Sequence, residues 1–152
     1  MERIWIYQAS RMLNTEEAEL LLGKMDKFTE QWTAHGKQLV AQALLKYNQF
    51  LVIRVNEGLV KATGCSIDKS TDTLKQIQEE LGLDFFDRMQ IAYRDAETIK
   101  TVSRAEFEKL IESGKVDGNT IVFNNMVGNS QELETRWEIP LKDSWHAQVF
   151  QI

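Results

Sequence analysis

Phe50-Leu51-Val52-Ile53-Arg54-Val55 is the stretch on which the fold turns. Five of its six residues are apolar and three are β-branched, which makes it the strongest strand signal in the chain. On its C-terminal side, Asn56-Glu57-Gly58 suits a three-residue hairpin loop with Gly58 in the left-handed position. Leu59 to Thr63 then reads as a returning strand. On its N-terminal side, Tyr47-Asn48-Gln49 makes a turn. Leu39 to Lys46 precedes it as a strand with Leu39, Ala41, Ala43 and Leu45 on one face. Residues 38–65 are therefore predicted to form an antiparallel meander.

Further out, helices and strands alternate. Ile4-Trp5-Ile6-Tyr7 is apolar on both faces and predicts a strand covered on both sides. Asn14 and Glu17 have capping-box spacing. Ala18, Leu21, Leu22, Met25, Phe28 and Trp32 follow at helical spacing. Leu74, Ile77 and Leu81 predict a second helix over roughly 70–81, ended by Gly82. Met89 to Tyr93 and Thr98 to Val102 read as short strands. Ser103-Arg104-Ala105-Glu106 is a strict capping box, with Gly114 at the expected end of its helix. Thr120 to Phe123 reads as a strand and 130–135 as a helical turn. Trp137 to Leu141 reads as an edge strand because it holds Pro140, and Asp143 or Ser144 as the cap of a short terminal helix. The expected class is α+β, a mostly antiparallel sheet with two to four helices packed against it.

Composition narrows the function. The chain has 152 residues, 43% of them hydrophobic and 27% charged, which suits one domain with a sizeable core and excludes collagen, coiled coil and wholesale disorder. No linker, repeat or low-complexity run marks a boundary. A net charge of −5 argues against nucleic acid as partner, since a phosphate-binding face needs clustered Lys and Arg. No stretch reaches the ~20 apolar residues of a membrane span. The opening residues lack an export signal, so a cytoplasmic location without a membrane partner is expected. One cysteine, Cys65, excludes an internal disulfide.

The usual signatures of catalysis are absent. Gly23-Lys24, Gly36-Lys37 and Gly114-Lys115 are followed by Met25, Gln38 and Val116, so no phosphate loop is present, and no G-x-G-x-x-G occurs. No metal and no cofactor are expected. His35, His146 and Cys65 lack zinc-type paired spacing, and a two-histidine site completed by Asp68 or Asp143 is the nearest approach to one. Cys65 stands just before the second helix. There it reads either as a packing residue with Asp68 as helix cap, or as a nucleophile with His35 or His146 as base and Asp68 or Asp143 orienting it. Trp32 to Gly36 and Asp143 to His146 each set a tryptophan beside a histidine, as a small-ligand pocket would need. Taken singly, Trp32 reads as the completion of the first helix's core stripe and Trp145 as packing at the C-terminus. Asn124 and Asn125 are either ligand amides or turn residues.

Trp32-Thr33-Ala34-His35-Gly36, Gly64-Cys65-Ser66-Ile67-Asp68, Phe86-Asp87-Arg88, Thr101-Val102-Ser103-Arg104, Val122-Phe123-Asn124-Asn125 and Asp143-Ser144-Trp145-His146 follow in that order. Over almost its full length the chain resembles a family of small, uncharacterised bacterial proteins that often carry the label "ABC transporter ATPase". The resemblance implies a cytoplasmic bacterial protein and brings no established activity. The label requires a Walker A loop, which this chain lacks. Two expectations follow. The first is a binding or interaction module for a small molecule or a protein, using Trp32, His35, Asp68, Asn124, Trp145 and His146 around a polar pocket. The second is an enzyme with Cys65 as nucleophile or His35 and His146 as acid–base groups.

Overall fold

A computed structural model describes residues 1–152. The fold is α+β with mostly antiparallel sheets. The chain packs as two compact units. The first is Met1–Phe86 with Gly128–Ser130, and the second is Asp87–Val127 with Gln131–Ile152.

The first unit holds β1 (Glu2–Gln8), α1 (Thr15–Gln31), β2 (Thr33–Ala34), β3 (Lys37–Gln38), β4 (Val40–Lys46), β5 (Phe50–Asn56) and α2 (Gly64–Leu81). Its main sheet has the order β1-β5-β4, antiparallel throughout. The deciding stretch is thus the central strand, and Phe50, Leu51, Val52 and Ile53 are all at most 1% exposed. Leu51, Ile53 and Val55 share a core with Leu21 and Met25 of α1 and Leu74 and Ile77 of α2. The capping box of α1 forms as expected: Asn14 Oδ1 accepts from the Glu17 N–H at 2.8 Å and Glu17 Oε1 accepts from the Asn14 N–H at 3.0 Å.

Three expectations in this unit are corrected. Leu59 to Thr63 is no strand, and Gly58 is not left-handed. The two edges of β5 are taken by β4 and by β1, from the other end of the sequence. The loop after β5 instead closes on itself, with Glu57 Oε2 accepting from the Ala62 N–H at 2.9 Å. Next, α2 begins at Gly64 rather than near 70, because Thr63 and Ser66 form a reciprocal cap. Asp68 therefore lies inside the helix and does not cap it. Finally, β1 is an edge strand with Ile4 as its one fully buried residue, so it is not covered on both sides. Its aromatics are half-buried. Trp5 meets Trp32 edge-on at 6.4 Å with Arg3 over its ring, and Tyr7 meets Phe86 at 5.6 Å. Residues 128–130 return to this strand: the Ile4 N–H donates to the Gly128 carbonyl and the Ser130 N–H to Glu2 Oε1.

The second unit holds β6 (Gln90–Asp95), β7 (Thr98–Ser103), α3 (Arg104–Glu112), β8 (Ile121–Phe123), α4 (Ser130–Thr135, from its second residue on), β9 (Glu138–Pro140), a 3-10 turn at Leu141–Asp143 and α5 (His146–Phe150). Its sheet has the order β7-β6-β8-β9, with the Pro140 strand on an edge as expected. Ser103 caps α3 by accepting from the Glu106 N–H, and Gly114 follows that helix with φ of 79°. Phe107 anchors α3 in a core with Ile91, Tyr93, Val116, Val122 and Leu141. The terminal helix forms where expected, but neither Asp143 nor Ser144 caps it. Trp145 holds the cap position without a side-chain bond, and the Ser144 hydroxyl bonds His146 instead.

Candidate functional site

The site begins with Trp32. This residue ends α1, and its buried indole N–H donates to the Ser66 carbonyl at 2.8 Å in the first turn of α2. One hydrogen bond thereby fixes the segment after α1 beside the start of α2. That segment is a minimal hairpin in which Thr33 pairs with Gln38 and Ala34 with Lys37. Its two connecting residues, His35 and Gly36, both have positive φ, at 52° and 74°. This is the signature of a type I′ turn. A histidine tolerates such a conformation better than most side chains, but at a cost.

The first turn of α2 supplies the opposite wall. Thr63 Oγ1 accepts from the Ser66 N–H at 3.2 Å, and Ser66 Oγ accepts from the Thr63 N–H at 2.7 Å. The Gly64 and Cys65 N–H groups stand at the first two helical positions, where an α-helix offers no internal acceptor. Between the two walls lies a cavity of about 350 Å³, lined by Thr33, Ala34, His35 and Gly36 from the hairpin and by Thr63, Gly64, Cys65, Ser66 and Lys69 from α2. It gathers an imidazole, a thiol, an ammonium group and the positive end of a helix dipole. These groups suit recognition of a small polar molecule.

The expected site residues divide between the units. His35 and Cys65 are exposed and line the same cavity. Trp32 is 2% exposed and acts as the tie beneath the hairpin. Asp68 is exposed on the next turn of α2 and does not line the cavity. In the second unit, the Asn124 amide holds its own loop, donating to the Arg136 carbonyl and accepting from the Met126 N–H. Asn125 Oδ1 accepts from the Trp137 indole. Trp145 stacks on His146 at 3.8 Å, and His146 is 2% exposed with Nδ1 at 2.6 Å from Ser144 Oγ. Burial pushes the His146 pKa down to about 4. It is therefore neutral at pH 7, sealed together with its serine. No group of three or more His, Cys, Asp or Glu side chains is gathered to hold a metal ion. No helix is long and apolar enough to cross a membrane.

Sequence reasoning missed Thr63, Ser66 and Lys69. The available signal was Thr63-Gly64-Cys65-Ser66, a capping box closed by serine in place of the usual Glu or Gln. Comparison with family models, curated proteins and solved structures finds no match.

Proposed function

We propose that the chain is a cytoplasmic binding module that takes a small polar ligand between the His35-Gly36 turn and the first turn of α2. The observation that carries this reading is the cavity itself: two segments some thirty residues apart, tied by one indole hydrogen bond, flank a half-open hollow of about 350 Å³ with polar groups on both walls. That volume falls at the lower end of ordinary small-ligand pockets. The sequence resemblance to small bacterial proteins is compatible with this role and adds no activity to it.

Thermal-shift screening of small anions, neutral polar metabolites and amines against the wild type and Lys69→Ala tests the reading. A saturating ligand at about 100 times its Kd stabilises the folded chain by roughly 2.7 kcal/mol. The expected result is a hit whose shift shrinks in Lys69→Ala and in His35→Ala. Hits that ignore both substitutions would place binding elsewhere.

A second reading rests on one observation. Cys65 and His35 line the same cavity, which puts a candidate cysteine nucleophile and a candidate histidine base at one site. Alkylation of Cys65 by iodoacetamide across pH 5–10 separates the two. Rates that follow an ordinary thiol near pKa 8.5, unchanged in His35→Ala, retire the enzyme reading. Nucleotide hydrolysis is set aside because the chain has no phosphate loop. ATP with magnesium in the same thermal screen is expected to give no shift.

A further inference from the structure

We propose that the C-terminal helix α5 is an acid-released latch: a proton taken up by His146, which is buried without a counter-charge, detaches residues 144–152 from the second unit.

The geometry is local and complete. His146 opens a five-residue helix, is 2% exposed and has the Ser144 hydroxyl as its hydrogen-bonding partner. Charged residues on the elements packed against α5 are Lys142 and Asp143 of the 3-10 turn and Arg104, Glu106, Glu108, Lys109 and Glu112 of α3. All seven are exposed. Arg104 lies over the Phe150 ring at 5.9 Å and pairs with Glu108, and none of the seven forms an ion pair with the imidazole. A hydroxyl can bond a neutral ring but cannot balance a buried imidazolium. The Trp145 face offers a cation some attraction. Desolvation by burial holds the ring's pKa well below the usual histidine value.

What holds α5 is correspondingly limited. Phe150 lies against Phe107 at 4.9 Å, and the helix is far shorter than one that is stable alone. Relief of a buried charge therefore costs a few apolar contacts and a few backbone bonds, not the whole unit. Release bares Phe107, which is otherwise fully buried.

The chain has two histidines, so imidazole NMR resolves both in the wild type. The expected result is that His146 titrates near 4. Hydrogen exchange of Ala147–Phe150, referenced to α3 amides, should accelerate by roughly tenfold per pH unit from 6.5 downwards and by ~300-fold in all. His146→Gln should remove that pH dependence. A His146 that titrates near 6.5 with α5 protection unchanged would overturn the proposal. So would equal acid sensitivity in His146→Gln, or loss of α5 and α3 protection in a single step. If His146→Gln does not fold, the two wild-type readings decide.

Discussion

His35 shows how one residue can carry opposing demands. Its φ of 52° lies in the left-handed region, where a non-glycine residue pays of order 1–2 kcal/mol. Asparagine is the residue a type I′ turn prefers at that position, and Asn-Gly is the standard pair. His35→Asn is therefore expected to raise stability by about 0.5 kcal/mol in urea denaturation. It should also weaken any ligand that uses the imidazole. A stabilised variant with unchanged ligand affinity would show that the imidazole does no binding work. Asn14 offers the ordinary case for comparison. Its side chain closes the α1 capping box, so Asn14→Ala should cost about 1 kcal/mol with no effect at the cavity.

At the scale of elements, the candidate site depends on where α2 begins. Thr63→Ala removes the acceptor for the Ser66 N–H, and a lost cap of this kind costs about 1 kcal/mol. The first turn of α2 should fray, seen as faster hydrogen exchange at residues 64–67, and any ligand in the cavity should weaken. Trp32→Phe keeps most of the buried ring but leaves the Ser66 carbonyl without its indole donor, at about 1–3 kcal/mol. The two substitutions strike the same pocket through different walls, so both should lower affinity while leaving β1-β5-β4 intact. The same elements show what was legible in the sequence. Helices with a conventional cap, at Asn14 and at Ser103, could be placed from spacing alone, because a cap is a local arrangement. The β5 strand was legible because burial on both faces leaves an unbroken apolar run. What could not be read was partner choice. Nothing local tells Phe50-Asn56 that its second neighbour comes from residues 2–8 rather than from 59–63. For the site, the sequence offered Cys65 with either His35 or His146 beside it and could not choose between the two histidines. The meeting of Cys65 with His35 depends on a hydrogen bond between residues 32 and 66, which no periodicity encodes.

For the whole molecule, acid is the informative perturbation, because its titrating groups act in separate windows. His146 has a folded pKa depressed to about 4 by burial, while its unfolded value is near 6.5. Between those values the unfolded chain binds the extra proton. The stability His146 confers is therefore complete above pH 6.5 and is lost as pH falls towards 4, by roughly 3 kcal/mol in all. The carboxylates act lower. Arg11 grips Glu17 through both nitrogens at 2.8 and 2.9 Å, and with the Asn14 N–H it holds that carboxyl down to about 2. Hydrogen bonding from Ser130 pulls Glu2 below its ordinary value as well. Their contributions are present above about pH 4.5 and disappear as pH falls through their folded values. Urea midpoints measured from pH 8 to pH 2 should therefore fall in two stages. His146→Gln should flatten the upper stage and leave the lower one. Glu17→Gln should do the reverse, and at pH 2 it should match the wild type more closely than at pH 7. High salt should weaken the Arg11–Glu17 contribution, which is exposed to solvent, but hardly touch the His146 stage, whose cause is desolvation. A single fall centred near pH 4.5 in both variants would mean that carboxylates alone govern acid stability and that the imidazole is not held neutral by burial.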